Sequence, residues 1–556
     1  MNKNRALYFL GTSLLSLVYG SGYINAQSTE YAVISINPEE TYQTVEGFGA
    51  SLAFYENWLT AHPNKNEIYD AIFGELSLDI LRVRNAYNYD PGMVGRVSEF
   101  AQAAENSLGK PIAILSTSWG PPGYLKSNND RKNGGTLKYS MGENGVEFDY
   151  AGFAGWWSKS LDEYNAHGIY PTYISIQNEP DWAASWETCL LQPAEKVDAA
   201  DTIAGYNKAL DAVYDTVMKR EIRPKFLGPE TVGIGYNAVE NYVNALEISK
   251  LYGIAHHLYH GVDENDPYST TDMSKVGNFH PEIPHFQSEY SLGDWFSLAG
   301  LMYKSFHDEK VVAYLYWDLI WDGGGLVSLD FPWDQSQWTD PQKGYTKSRE
   351  FYVFKQFSAF IHPGWKQIGS SMTGTNGRAL AFCNSGRDSA VLVVINRSST
   401  DSISIHASFS GYSIYESLVF RTSESENCEY QGGLSDSIFV LTPRSVATVE
   451  MKITEIIAGI GSGNSALVSD GIICKSLYPN PFSQSAILQF HLKEHQQIWL
   501  TILDSQGRII RKSRLGDYTT GDHTLVIDRA GIPDGIYFYR LENSQGRSGI
   551  GKFILQ

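Results

Sequence analysis

The sequence predicts an α/β protein. Its centre is a (β/α)₈ TIM barrel, with a β-sandwich side domain attached and a separate all-β module at the C-terminus. Between about residues 45 and 320, short apolar runs alternate with amphipathic stretches, a pattern typical of parallel βα units. Eight such units over about 275 residues match the size of a (β/α)₈ barrel. Beyond about residue 350, strand-like runs separated by polar turns replace the helical pattern.

The first 26 residues are predicted to be a signal peptide. Basic residues in "MNKNR" precede the apolar run "ALYFLGTSLLSLVYG", which is too short to span a bilayer, and Ala26 offers a small residue for cleavage. We therefore expect export, with the mature chain starting near Gln27. No later stretch reaches 18 apolar residues, so no membrane span is expected.

Composition narrows the class of protein. A chain of 556 residues exceeds one ordinary domain, and its apolar content of 42% is normal for a folded protein. A formal net charge of −19 argues against nucleic-acid binding. The four cysteines, Cys189, Cys383, Cys428 and Cys474, include no CxxC pair, so a zinc ribbon is not expected. Pairing of Cys383 with Cys428 in an oxidising compartment stays open.

The predicted barrel covers residues 46–349. Its eight candidate strands are 45–53, 80–87, 111–119, 171–179, 225–230, 253–259, 285–291 and 311–319. The alternative is a doubly wound open sheet. Against it, no GxGxxG or GxxxxGK[ST] motif follows any of these strands.

The remaining chain is divided by composition. Residues 27–45 are predicted to add a strand to the side domain, a β-sandwich over 350–455. The Gly/Ser-rich segment 456–474 is predicted to be a linker. Residues 475–556 form the last all-β module.

Polar side chains terminate several of the apolar strands. Glu179, Glu230, Glu289 and the pair His257 and Tyr259 all follow such runs. Active sites of (β/α)₈ barrels lie at the C-terminal ends of the strands. A single polar ending suits a loop cap, but four that converge predict a site.

Two of these residues suit glycoside hydrolysis. Glu179 and Glu289 end the fourth and seventh candidate strands. Retaining glycosidases place two carboxyl groups about 5–5.5 Å apart, one as proton donor and one as nucleophile, in environments that separate their pKa values. Asn178, adjacent to Glu179, is predicted to hydrogen-bond the sugar 2-hydroxyl. The alternative is that both are surface acids, like most of the 62 in the chain.

Four motifs carry a resemblance to glycoside hydrolase family 30, over about residues 31–455. They are "EGFGASLA", "LSTSWGPPGYLKSN", "QNEPDW" and the later "SEY". The Asn-Glu-Pro motif alone is shared by a wider clan of barrel glycosidases. The family implies retention of configuration. No cofactor and no metal are expected. The family also implies Glu179 as acid/base and Glu289 as nucleophile.

Five further residues are predicted to support this pair. Trp119 and Trp317 end strands, where an indole stacks on a sugar face, although a single Trp is more often core. Arg82 is predicted to hold the nucleophile ionised, with a structural ion pair as the alternative. Tyr259 is predicted to bond the nucleophile's second oxygen. His257 follows another histidine, and because neighbouring side chains diverge on a strand, it is predicted to be a hydrogen-bonded site or core residue, not a zinc ligand.

The stretches "YLYWDLIWDGGGLV" and "FSAFIHPGW" most resemble the xylan-cleaving branches of the family. This resemblance predicts xylan as the substrate. Some of those enzymes bind a glucuronic acid branch through arginine in the loop after the eighth strand. Here that loop, residues 320–338, contains no Arg or Lys, so strong glucuronate dependence is not expected. Trp321, Trp333 and Trp338 are predicted to be stacking platforms.

The predicted function is a secreted retaining glycosidase, an endo-xylanase-like enzyme acting on β-1,4-xylan or glucuronoxylan in plant polysaccharide. The alternatives within the family are a β-1,6-glucanase and a xylobiohydrolase-type exo-enzyme. A non-catalytic polysaccharide-binding protein is a further alternative. The last alternative is a structural surface protein, but that function would not explain the polar residues at the strand ends.

The C-terminal module, about residues 475–556, resembles the sorting domain of the type IX secretion system. "LYPNPF", "DSQGRII" and the final "GIYFYRL…GKFIL" carry the resemblance. It implies transport by the type IX machinery across the outer membrane of a Bacteroidetes-type bacterium, followed by release or surface attachment. A carbohydrate-binding module is the alternative, with Tyr537 and Tyr539 on one face.

Overall fold

A computed structural model describes residues 29–291, 293–338, 343–435, 437–456, 472–504, 508–543 and 548–556. The predicted signal peptide and most of the predicted linker, 457–471, lie outside the described residues. The chain divides into two compact units, one reaching Ile453 without 411–413 and one made of 411–413 and 454–556. Across the described ranges, none of the helices has the length and apolar character needed to cross a membrane.

The first unit contains a closed barrel of eight parallel strands in chain order, which confirms the predicted fold class. Each predicted run overlaps one barrel strand. Barrel strands 1 to 8 are Gly47–Leu52, Ile80–Arg84, Ala113–Thr117, Tyr173–Ser175, Lys225–Thr231, Gly253–His257, His285–Glu289 and Ala313–Tyr316.

Helices follow every barrel strand and cover its outside. The helix Tyr150–Ala166 is an example. Asp149 accepts a hydrogen bond from the Gly152 amide at 2.8 Å, and this bond caps the N-terminus of the helix. Its buried face includes Phe153, Trp157 and Leu161 at four-residue spacing, the period of a helix packed on a core. The remaining helices are Glu56–Ala61, Lys65–Tyr69, Met93–Leu108, Tyr206–Val217, Ala238–Val243, Asp272–Gly277, Trp295–Lys304 and Arg349–Ser358.

Short elements occupy the loops of the barrel. The strands among them are Tyr139–Gly142, Gly145–Phe148, Lys196–Val197, Thr202–Ile203, Ile320–Trp321, Val327–Leu329 and Tyr345–Lys347. The helical turns are Asp70–Glu75, Gly123–Leu125, Gly235–Asn237, Ile248–Lys250, Pro267–Ser269, Ser305–Glu309 and Gln335–Gln337.

One continuous nine-stranded sheet forms the side domain. In sheet order its strands are Glu429–Tyr430, Tyr412–Thr422, Ser445–Glu455, Ser389–Asn396, Gly377–Cys383, Lys366–Met372, Thr29–Thr44, Ser402–Phe409 and Ile438–Leu441. Phe382 and Val391 belong to the same buried cluster as Phe354 of the last barrel helix, so this sheet and the barrel share a core. Cys383 and Cys428 are buried and unpaired.

The second unit has a β-sheet core of its own. One sheet contains Ile472–Tyr478, Ser485–Leu492 and Gly521–Asp528, and the other contains Ile509–Tyr518, Gln496–Asp504, Gly535–Asn543 and Ser548–Leu555. Apolar side chains such as Phe490, Ile502 and Phe553 are fully buried there. Tyr537 and Tyr539 belong to this core, so they do not form an exposed sugar-binding face.

Candidate active site

The fourth barrel strand ends at Ser175, and the polar segment after it is fixed by its neighbours. Gln177 Nε2 donates to the Trp119 carbonyl at 2.8 Å. The Asn178 amide donates to the Ser118 carbonyl at 2.7 Å, and the Glu179 amide donates to the Glu230 carbonyl at 3.0 Å. Glu179 has φ of +44°, so the chain turns out of the strand here and carries this carboxyl group over the barrel mouth.

Glu179 and Glu289 face each other at this mouth. Carboxylate oxygens of the two residues lie within 4.8 Å of each other and of a ring nitrogen of His257. Both side chains are buried. This upper limit on the oxygen–oxygen distance is compatible with the roughly 5–5.5 Å separation of carboxyl groups in retaining glycosidases and is shorter than the roughly 6.5–9.5 Å of inverting ones.

Arg82 lies fully buried beneath the pair and donates hydrogen bonds to side chains around it. Its Nη1 donates to Glu289 Oε2 at 2.6 Å, its Nη2 to Asn178 Oδ1 at 2.6 Å, and its Nε to Glu230 Oε1 at 3.1 Å. Tyr259 donates its hydroxyl to the other oxygen of Glu289 at 3.1 Å. Both oxygens of Glu289 therefore accept hydrogen bonds, one of them from a cation.

His257 is neutral and contacts Glu179. Burial lowers the pKa of His257 to about 4, so its ring carries no charge at neutral pH. Its Nδ1 lies at hydrogen-bond distance, 3.0 Å, from Glu179 Oε1, and its Nε2 lies 3.8 Å from Glu289 Oε2. A neutral imidazole has one N–H, so it orients Glu179 without supplying a full positive charge.

The two carboxyl groups therefore have different environments. Burial raises the pKa of Glu179 to about 7, although Arg82 opposes the shift. Burial also raises the pKa of Glu289, but that group has the direct ion pair with Arg82 and the Tyr259 hydrogen bond. When the pair holds one proton, these contacts favour the proton on Glu179 and the negative charge on Glu289.

The adjacent histidines point in different directions. His256 lies fully buried with its Nε2 2.5 Å from Glu309 Oε1, while His257 faces the two carboxylates. Among the described residues, Glu179, His257 and Glu289 are the group with ligand atoms close enough for a metal ion. Arg82 already supplies positive charge at Glu289 and His257 is bonded to Glu179, so this set does not fit a dication well.

A cavity of about 580 Å³ opens above the carboxylates. Its walls are mainly aromatic, which suits the apolar faces of sugar rings. The lining residues are Phe54, Trp119, Asn178, Glu179, Trp182, Trp186, Val232, Tyr259, His260, Glu289, Trp317 and Trp321. Trp119 and Trp317 pack with ring centroids 5.7 Å apart, and the Arg82 guanidinium lies 4.3 Å from the Trp119 ring centroid.

The loop after the eighth strand extends this aromatic wall. Trp321 contacts Trp317, with ring centroids 5.8 Å apart, and contacts Tyr55 at 4.7 Å. Trp58 follows at 4.7 Å from Tyr55, and then Trp333 at 5.2 Å from Trp58. Trp333 is 62% exposed. An unbroken series of rings thus leads from the cavity to the surface.

The prediction of Trp338 as a stacking platform is wrong. Its ring stacks on His62, with centroids 5.4 Å apart, and its Nε1 donates to the Phe331 carbonyl at 3.1 Å. Those contacts occupy one ring face and its only hydrogen-bond donor, so Trp338 holds the loop together.

The structure brings all eight predicted site residues to one place. Arg82 and His257 lie behind the cavity, and the other six line it. The sequence indicates Glu230 as a strand end but does not indicate its ion pair with Arg82. Trp182 lies next to the Asn-Glu-Pro motif, which was a usable clue. Trp186 and His260 have no distinguishing pattern in the sequence.

Comparisons with known proteins cover both units. Residues 476–556 match the family described as "Secretion system C-terminal sorting domain". Glucuronoxylanase XynC of Bacillus subtilis is 21% identical over 400 residues, 70% of this chain and 83% of the relative. Endo-1,6-beta-D-glucanase neg1 of Aspergillus fumigatus is 24% identical over 400 residues, 64% of this chain and 78% of the relative.

A solved structure shares the fold. The family 30 subfamily 8 xylanase Xyn30A of Clostridium acetobutylicum superposes with a TM-score of 0.57 at 20% identity, over 75% of this chain and 99% of that one. The resemblances to glycoside hydrolase family 30 and to a type IX sorting domain, expected from the sequence, are confirmed. The barrel and its side sheet have the fold of family 30 enzymes.

Proposed function

We propose that this protein is a retaining glycoside hydrolase that cleaves a neutral β-linked polysaccharide by double displacement. Glu289 is the nucleophile and Glu179 is the acid/base. The observation that carries the proposal is the pair of carboxylates within 4.8 Å of each other. A water molecule poised for direct attack needs more room than this spacing leaves.

In the first step, Glu289 attacks the anomeric carbon while protonated Glu179 donates its proton to the glycosidic oxygen. The bond to the leaving sugar breaks and a glycosyl-enzyme ester forms. In the second step, Glu179 takes a proton from water, the water oxygen attacks the anomeric carbon, and Glu289 leaves as carboxylate. Glu179 recovers its proton from water, so the complete cycle consumes only the polysaccharide and water.

The surrounding residues support these steps. Arg82 and Tyr259 stabilise the carboxylate form of Glu289 in the free enzyme. Asn178 lines the cavity, and its Oδ1 is fixed by Arg82 Nη2. Its amide nitrogen is thereby positioned to donate to a sugar hydroxyl, a bond that strengthens in the transition state.

β-1,4-Xylan is the first candidate substrate, as an unbranched or neutrally branched chain. The described part of the loop after the eighth strand, 317–338, offers rings and acidic groups but no Lys or Arg for a glucuronate. β-1,6-Glucan is the second candidate, because the fungal endo-1,6-β-D-glucanase named above matches this chain at 24% identity, slightly above the glucuronoxylanase.

Reducing-sugar assays on xylan, β-1,6-glucan and lichenan test the proposal. We expect release from xylan or β-1,6-glucan, lost in Glu289→Gln, with lichenan as the specificity control. Binding to xylan without cleavage, unaffected by Glu289→Gln, would support a polysaccharide-binding protein instead.

We also propose that the enzyme acts outside the cell. The sorting domain at 476–556 and the apolar N-terminal segment support export through the type IX machinery of a Bacteroidetes-type bacterium. Cell fractionation after deletion of 476–556 tests this: we expect the truncated enzyme to accumulate in the periplasm.

A further inference from the structure

Tyr236 lies in the loop after the fifth barrel strand in an unusual conformation. Its side chain is 90% exposed, and its φ is +59°, followed by +57° at Asn237. The left-handed region costs an L-residue roughly 1–2 kcal/mol. Tyr236 therefore combines a strained backbone with an aromatic ring that is exposed to solvent.

The loop after the fifth barrel strand is hydrogen-bonded to the segments on either side of it. The amides of Ile234 and Gly235 donate to the His260 carbonyl at 2.8 and 3.1 Å. The Val232 amide donates to Asp181 Oδ1 at 3.0 Å. A Cβ at Gly233 would collide with the backbone of His260, so this close approach requires glycine. The position of Tyr236 is therefore set by the segments that follow strands four and six.

Tyr236 continues a row of rings that begins in the cavity. Its ring centroid lies 6.5 Å from that of His260, which lies 5.7 Å from that of Trp182. His260 and Trp182 both line the cavity, as does Trp186, which is 50% exposed. The Trp182 amide donates to the Glu179 carbonyl at 3.0 Å, so the row starts beside the acid/base.

We propose that Tyr236 is a platform for a sugar ring on the leaving-group side of the cleaved bond. This inference rests on the proposed function. An acid/base must lie beside the glycosidic oxygen, so the leaving sugars lie over the loops next to Glu179. Trp182 and His260 contact the nearer leaving sugar, and Tyr236 contacts one farther out. An exposed aromatic face stacks on the C–H face of a β-linked pyranose.

The test compares substrates with long and short leaving groups. Tyr236→Gly removes the ring and also relieves the left-handed strain, so the melting temperature should stay the same or rise. On xylohexaose, or on gentiohexaose if β-1,6-glucan is the substrate, we expect kcat/KM to fall by about 3- to 10-fold more than on the 4-nitrophenyl glycoside of the matching disaccharide. Tyr236→Phe should restore the oligosaccharide rate.

Asn237→Gly is the matched control. It places glycine at the adjacent left-handed position, although asparagine already tolerates that region, and it removes the hydrogen bond from Lys275 Nζ to Asn237 Oδ1. The Tyr236 ring is kept, so we expect the oligosaccharide kcat/KM to stay within about twofold of the wild-type value. Equal losses on both substrates in Tyr236→Gly, or an equal loss in Asn237→Gly, would overturn the assignment. A wild-type protein that cleaves neither substrate contradicts the proposed function itself, and this inference with it.

Discussion

Arg82 is ion-paired with Glu289, with Nη1 and Oε2 2.6 Å apart. Glu179 instead has the neutral ring of His257 as its hydrogen-bond partner. Two carboxylic acids with oxygens within 4.8 Å of each other thereby have different electrostatic partners. That difference is what an acid/base and a nucleophile require.

The pH dependence of activity should report this difference. Glu179 must be protonated in the free enzyme, and its pKa is raised to about 7. We therefore expect kcat/KM to be highest on the acidic side of neutrality and to fall as pH rises through about 7. A profile of kcat/KM from pH 4 to 9 measures it. A rate that keeps rising to pH 9 would show that Glu179 is not the proton donor.

Removing the buried charge of Glu179 should stabilise the fold. A carboxyl group whose pKa is raised by folding contributes most stability below its unfolded value, near 4.5, and loses it as pH rises through about 7. We expect Glu179→Gln to raise the free energy of unfolding above pH 7 by about 1–3 kcal/mol, and by much less near pH 5. Urea unfolding at both pH values measures the difference.

Glu309→Gln is the matched control for that measurement. Although burial opposes ionisation, His256 lowers the pKa of Glu309 to about 2, so this ionised group stabilises the fold above pH 4.5. Breaking one partner of such a buried pair costs about 3–5 kcal/mol. The two substitutions should shift stability at pH 8 in opposite directions, and shifts of the same sign would contradict the assigned charges.

Glucuronic acid branches should not be required. The described loop residues 320–338 contain no Lys or Arg, so this segment offers no cation to pair with the carboxylate of a glucuronic acid. If xylan is cleaved, we expect kcat/KM on linear xylo-oligosaccharides to be within about threefold of that on glucuronic acid-branched ones. A preference above 100-fold for the branched ones implies an ion pair of roughly 3 kcal/mol and would contradict this account.

The first compact unit should be active alone. It contains every residue of the site, the barrel, and the side sheet except for the ends of two strands. A chain that stops at Ile456 should keep kcat/KM within about twofold of the full-length value and melt at a similar temperature. A soluble, folded truncation that has lost activity would show that residues 457–556 take part in catalysis.

The strand ends were predictable because a barrel strand is apolar until it reaches the mouth, and acidic residues interrupt that pattern. Glu289 is the last residue of the seventh strand, whereas Glu179 lies four residues beyond the end of the fourth. The pairing of Glu230 with Arg82 was not predictable. The two residues are far apart in sequence and meet only because strands two and five face the same barrel interior. Trp338 looked like a platform, since sequence does not show that His62 covers its face. The left-handed backbone at Tyr236 leaves no mark in the sequence either.

Chemical rescue by azide tests the central claim most directly. With an aryl glycoside whose leaving group needs no protonation, Glu179→Ala should form the glycosyl-enzyme and then stall, because it lacks the base for the second step. Added azide should restore turnover and give a β-glycosyl azide with retained configuration, identified by NMR. Glu289→Ala should give an α-azide or no product. A β-azide from Glu289→Ala and none from Glu179→Ala would show that the two roles are reversed.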